Sequence, residues 1–262
     1  MSGIHLHHWP GDPDRPALAL HCMMGSGASW GPVARALAAS GEAAVDLRGF
    51  DMPGHGRSDD WQPGPDSPDY HTAVTRIAAA MIAQPVDLIG HSFGATVALR
   101  IAVAAPEAIR SLTLIEPVLF AAAPSTLQDV LNDQLAALLA EGREDEAVRA
   151  FLSVWGGDGV AGLSPEALAL MRRQIGLVAA TAGALREDHA NILRKGGLEA
   201  VDAPVLLIAG ANSPPVIHAI AEVLAARLPD VGRASVPGAA HMLPLTHPRQ
   251  VAGLIGVNLE RA

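Results

Sequence analysis

Short apolar runs recur along the chain, at 17–20, 43–47, 86–89, 112–115, 205–209 and 233–236, each followed by a glycine-rich or polar break. Runs of this length with such boundaries read as buried strands. Between them lie stretches with apolar residues at helical spacing, at 30–39, 72–83 and 96–105, the last uninterrupted until Pro106. Two further stretches, 215–228 and 248–259, begin with proline in the first turn, where its missing N–H leaves no bond unmade. The alternation predicts an α/β fold with a mainly parallel sheet and helices on both faces.

The segment 121–197 breaks this rhythm. It contains no strand-like run and reads as three or four helical stretches separated by Gly142, Gly156-Gly157, Gly159 and Gly162. Ser164-Pro165-Glu166 has the form of a helix start, with an N-cap serine and proline behind it. The apolar positions Leu131, Leu135, Leu138, Leu139, Phe151, Leu152 and Trp155 are placed to cover part of the sheet. The expectation is a core formed by 1–120 and 198–262, with 121–197 inserted as a helical lid over the strand ends.

The sharpest chemical signal is Gly90-His91-Ser92-Phe93-Gly94, lying between the run at 86–89 and the following helix. G-x-S-x-G in a strand-turn-helix setting forces the serine into a strained, exposed conformation, and the flanking glycines remove side chains that would collide there. Two other segments follow strands. One is His21-Cys22-Met23-Met24 with a glycine-rich continuation, and the other is the turn-forming Asp51-Met52-Pro53-Gly54-His55-Gly56-Arg57-Ser58. Together with a late histidine, His241, these motifs resemble the alpha/beta hydrolase family nearly end to end. The resemblance implies an eight-stranded, mostly parallel sheet and a cap domain inserted where 121–197 stands.

A serine hydroxyl needs a base to take its proton, and eleven histidines compete for that role. His241, in Pro237-Gly238-Ala239-Ala240-His241-Met242, follows the last strand, where the family places its base. His21, His55 and His91 sit beside motifs and read as loop braces, whereas His189 and His218 have no motif around them. Most family members carry the triad aspartate where this chain has Ser213, and no carboxylate is present there. Glu116 ends the run at 112–115, and some hydrolases of this fold draw their acid from that strand end. Ser92, Glu116 and His241 also keep the order nucleophile, acid, base. The competing roles for Glu116 are a turn cap before Pro117 or a partner for a lid arginine, and Asp188 is the carboxylate that would replace it.

The backbone N–H of Phe93, next to the nucleophile, is one expected oxyanion donor. The resemblance makes Met23 the other, with Cys22 as a small buried residue where glycine is usual. His21, Met24 and Met242 are assigned to substrate binding, and Met23, Met24, Met52 and Met242 together imply a thioether-rich pocket.

Composition narrows the partners. The 262 residues are 50% apolar and 3% aromatic, with 18 Lys+Arg against 27 Asp+Glu and a formal net charge of −9, which offers nucleic acid no basic footprint. Every apolar stretch is cut by charge, proline or glycine before reaching the roughly 18 residues of a membrane span. The single cysteine excludes an internal disulfide and suits a reducing compartment, and the first residues lack the pattern of a signal peptide, so cytoplasmic residence is expected. The cluster His5, His7 and His8 reads either as a metal site or, in preference, as an edge strand at the surface.

The expected activity is hydrolysis of a small or medium carboxylic ester, lactone or thioester through an acyl-enzyme, with no cofactor and no metal. The alternatives are carbon–carbon bond hydrolysis in the same fold and a small-molecule receptor with little turnover. Epoxide hydrolases and haloalkane dehalogenases use an aspartate nucleophile and are disfavoured by Ser92. Oligomeric state is left open by the sequence.

Overall fold

The computed structural model describes residues 3–40, 45–157 and 163–262. All six apolar runs are strands. They form β2 (Asp12–Leu20), β3 (Val45–Phe50), β4 (Val86–His91), β5 (Ile109–Ile115), β6 (Val205–Gly210) and β7 (Val231–Val236), preceded by β1 (Leu6–Trp9). The start of the second run, at 43–44, lies outside the described residues. The sheet order is β1-β3-β2-β4-β5-β6-β7, with β1 antiparallel to β3 and every other pair parallel. The described residues form seven strands where the family resemblance implied eight.

The inner strands read as near-continuous apolar runs because both of their faces are covered. Alternate residues serve different faces. Leu18, Leu20, Leu88, Leu112, Leu114 and Leu207 join one buried cluster, while Ala17, Ala19, Ile89, Ile115, Leu206 and Ile208 join the other. The second face is closed by α1 (Gly31–Ser40) and the last helix, through Val33, Leu37, Val251, Ile255 and Leu259. The first face is closed by α2 (Tyr70–Ala79) and α3 (Phe93–Ala104), through Val74, Ala98 and Leu99. Helix α2 starts two residues before the reading from spacing because Asp69 accepts both the N–H and the hydroxyl of Thr72, at 2.9 and 2.6 Å.

Three helices lie between β5 and β6: α4 (Thr126–Ala140), α5 (Glu144–Trp155) and α6 (Pro165–Arg186). Ser125 and Ser164 cap α4 and α6 by accepting N–H groups of Gln128 and Ala167. Gly142 takes φ of +67° at the α4–α5 turn, while Gly159 and Gly162 lie outside the described residues. Leu131, Leu135, Leu138, Leu152, Trp155 and Ile175 belong to the same buried cluster as the sheet face above α3. After β6 come α7 (Pro215–Ala225), the short α8 (Leu243–Thr246) and α9 (Pro248–Leu259), with proline at the first position of α7 and α9. No helix of the described residues is long and apolar enough to cross a membrane.

The chain turns one way from β2 to β3 and the other way to β4, so a switch point opens between β2 and β4 at the carboxyl ends of the strands. Open α/β sheets bind their ligands at such a crevice. Strand β4 packs so closely against α3 there that a Cβ on Gly90 would lie 2.4 Å from the Gly94 carbonyl oxygen, and one on Gly94 would lie 2.3 Å from the Leu20 oxygen. Backbone cannot yield as a flexible side chain can. Gly94→Ala is therefore expected to cost about 3 kcal/mol by overpacking, read as a lower denaturant midpoint in urea unfolding, whereas Gly253→Ala, in α9 with open space around it, should not be destabilising.

Candidate active site

Strand β4 ends at His91 and α3 begins at Phe93, which leaves Ser92 alone at the turn with φ 57° and ψ −117°. A non-glycine residue in that region stores about 1–3 kcal/mol of strain. The turn is held by the Ser92 N–H, which donates to the Ile115 oxygen at 2.8 Å. The hydroxyl is thereby turned away from helix and sheet toward the crevice.

His241 follows β7 in a buried turn. Its Nε2 lies 3.0 Å from Ser92 Oγ, and its Nδ1 lies 2.9 Å from Glu116 Oε2. Glu116 directly follows β5 at φ 54° and is fully buried. Its other oxygen accepts the Gly210 N–H at 2.6 Å and the Ser213 hydroxyl at 2.7 Å. Burial works to raise this carboxyl, but His241, Ser213 and the Gly210 N–H outweigh it and hold it below the usual carboxylate range. Ser213 is thus a hydrogen-bond donor to the carboxylate from the position where a family aspartate would stand. Sequence reasoning missed this, because the contact joins two strand ends 97 residues apart. Asp188 is elsewhere, accepting the N–H groups of Ile192 and Leu193 at 2.8 and 2.7 Å.

The histidines beside the motifs are buried braces. His21 joins the Cys22 oxygen through Nδ1 at 2.7 Å and accepts the Met52 N–H at Nε2 at 2.9 Å, which ties the loop after β2 to the loop after β3. It does not line either of the two cavities over Ser92, and both of its ring nitrogens are engaged within the loops. His55 accepts the Met24 N–H at 3.1 Å, and His91 donates to the His241 carbonyl at 2.8 Å. Asp51 gathers the Gly27 and Arg57 N–H groups and His7 Nε2, at 2.7, 2.8 and 2.9 Å. His7 lies on the edge strand β1, so the preferred reading of that cluster matches the fold. Ligand atoms of His5, His7 and Asp51 come within 4.8 Å of one another, yet the Arg57 guanidinium sits 2.6 Å from His5 Nε2 and opposes a cation there.

Two cavities meet over Ser92 and His241, sharing Met23, Phe151 and Trp155 as walls. The larger, of about 320 Å³, is lined also by Met24, Leu163, Met171, Met242 and Leu245. The smaller, of about 50 Å³, lies over Phe93 and reaches α4 and α6. Met23, Met24 and Met242 are in the wall as expected, but Met52 is buried in the core. Cys22 also touches the larger cavity; burial pushes its thiol up to about 12, so it remains protonated at neutral pH. Trp155 stands edge-on to the His241 ring with centroids 4.7 Å apart. Nothing in the sequence around Trp155 announces that contact.

The chain matches the family model of the alpha/beta hydrolase fold over residues 16–248, and it belongs to that family. Among curated relatives it is 34% identical over 160 residues to lipase LipV of Mycobacterium tuberculosis, a match covering 58% of each chain. It is 29% identical over 220 residues to a pimeloyl-[acyl-carrier protein] methyl ester esterase of Neisseria meningitidis, covering 81% of this chain and 82% of the relative. Among solved structures, an alpha/beta hydrolase enzyme from a deep-sea metagenome library, MGS-M2, superposes with a TM-score of 0.77 at 16% identity, covering 99% of this chain and 94% of the other.

The braces carry an acid liability. Burial, with the neighbouring His55 adding to it, lowers His21 to about 3; burial and then His241 lower His91 to about 3; burial and then Arg100 lower His71, which joins α2 to α3 through Nε2 at 3.1 Å from Thr96 Oγ1, to about 4. As pH falls through about 6.5 the unfolded chain takes up these protons while the folded chain does not, so stability is present above that value and lost below it. The guanidinium midpoint is expected to fall steadily between pH 7 and 4, with the lowered Glu116 adding to the loss below about 4.3. A midpoint flat from pH 7 to 5 would show that these rings are not held neutral.

Proposed function

We propose that this chain is a serine hydrolase that cleaves a small or medium carboxylic ester, or a lactone or thioester, through an acyl-enzyme on Ser92. The observation that carries the reading is the unbroken hydrogen-bond chain from Ser92 through His241 to Glu116. Ser92 Oγ attacks the carbonyl carbon as its proton passes to His241 Nε2, and the oxygen takes up negative charge. The N–H of Phe93 faces that oxygen from the first turn of α3, where N–H groups have no intrahelical partner, and the Met23 N–H supplies the second donor. The intermediate collapses as the leaving oxygen takes the proton from His241. Water then repeats the sequence on the acyl group and frees the acid and Ser92. Glu116 stays ionised throughout and holds Nδ1 protonated, so that Nε2 is free to accept.

The names of the curated relatives, a lipase and a methyl ester esterase, favour ester cleavage over carbon–carbon cleavage for this site. The substrate is a small molecule, and the wide, mostly apolar cavity suits an acyl chain rather than a charged polymer. Residues 121–197 act as the lid, since α4 to α6 roof both cavities with Phe151, Trp155, Met171 and Val178. The unpaired, protonated Cys22 supports a cytoplasmic location.

A fluorophosphonate probe is expected to label Ser92, with Ser92→Ala and His241→Ala each abolishing labelling and turnover of p-nitrophenyl esters. Persistent activity in Ser92→Ala would overturn the reading. Glu116→Gln should cut kcat by about 10⁴, by analogy with other triads whose acid was made an amide. Ser213→Ala should cost about tenfold, because the carboxylate keeps its bonds to Gly210 and His241.

The lid has its own test. Replacing 121–197 by a short glycine-serine linker should leave a folded core, judged by circular dichroism, with altered preference among ester chain lengths. A chain that no longer folds would assign these helices to the main core.

A further inference from the structure

The smaller cavity runs from Ser92 to a pair of side-chain amides on α4. Gln128 is 92% buried, since its exposure is 8%, and its Nε2 donates to Asn132 Oδ1 at 2.8 Å. One turn of helix separates the two residues, and both line the cavity. The bond satisfies one donor and one acceptor. Among the described residues Gln128 Oε1 has no hydrogen-bond partner, it is not sealed from solvent, and its side chain lines the cavity. Whichever way the two amides are turned, the pair, both members of which line the cavity, keeps at least one acceptor and one donor beyond its own bond. Away from Ser92 and His241 the rest of the wall is mostly apolar, with Val118, Phe120, Val178 and Leu185; the Thr181 hydroxyl is spent on the Val178 oxygen at 2.9 Å, and no lysine or arginine lines the chamber.

We infer that this chamber is a specificity subsite that takes the short arm of the substrate and reads a neutral hydrogen-bonding group, an amide or a hydroxyl, at its end. The inference rests on the hydrolase reading above. An apolar arm would leave Gln128 Oε1 without a hydrogen bond, which a site built this way penalises. A carboxylate arm would be buried with no cation to offset it. At about 50 Å³ against about 320 Å³, the chamber admits a few heavy atoms, while the longer arm goes to the methionine-lined cavity.

The test uses isosteric pairs on each side of the ester bond. The acyl pair is p-nitrophenyl 4-carbamoylbutanoate against p-nitrophenyl 5-methylhexanoate. The alcohol pair is the butanoate ester of 4-hydroxybutanamide against that of 4-methylpentanol. In one of the two pairs the amide-ended arm is expected to have the higher kcat/KM by roughly ten- to hundred-fold. Gln128→Leu should then reverse that preference in the same pair, lowering the amide-ended ester and raising the branched one. Asn132→Leu, at a half-buried position where leucine suits the helix, is expected to collapse the ratio in the same direction and guards against misfolding of the first variant. The inference is overturned if the branched arm is preferred in both pairs, or if neither variant moves the ratio. Failure of the hydrolase reading looks different: no ester is turned over and the fluorophosphonate does not label Ser92.

Discussion

Glu116 and His241 are 125 residues apart in the chain and 2.9 Å apart in the buried centre of the molecule, and the site depends on that one bond. A carboxylate at zero exposure is tolerated only when fully bonded, and here both oxygens are engaged: one by the imidazole, the other by the Gly210 N–H and the Ser213 hydroxyl. Those partners come from the ends of β6 and β7, so the parallel register of β5, β6 and β7 and the state of the proposed base are one constraint. A slip in that register would leave the carboxylate buried and unpaired.

Around this bond the crevice is built from groups that would be costly elsewhere. Ser92, Glu116 and Met24 all take positive φ, and each sits at the carboxyl end of a strand or in the loop just beyond one. The strain is offset by close backbone packing, most tightly where β4 meets α3, and by neutral histidines that stitch loop to loop. His21 links the loops after β2 and β3, His55 holds the residue next to the proposed oxyanion donor, and His91 holds the backbone of His241. Because the rings act as both donor and acceptor only when neutral, the geometry of the crevice is tied to pH. The rigid part of the site therefore lies entirely in the sheet and its loops. The helices α4 to α6 contribute shape: Trp155 against the imidazole, methionines along the wide cavity, and the Gln128–Asn132 pair at the end of the narrow one.

Much of this was legible in one dimension, for local reasons. Strands buried on both faces are apolar nearly throughout, so β2, β4, β5 and β6 showed as clear runs; β3 and the edge strand β7 showed as shorter, polar-interrupted ones, and β1, at the other edge, only as alternating histidines. The strand-turn-helix around Ser92 is a contiguous motif, so the elbow and the proposed nucleophile could be read from adjacent residues. His241 and Glu116 followed from their places at strand ends in the chain order of an alpha/beta hydrolase. What only the tertiary structure decided are the contacts between strand ends and between sheet and inserted helices, where side chains far apart in sequence meet. Ser213 became a donor to Glu116, His21 came to join the loops after β2 and β3, Met52 went to the core, and Trp155 came to rest on His241. None of these carries a local signal, because each depends on a packing distance set by residues about a hundred or fewer positions away, along a chain whose pattern records burial but not neighbours.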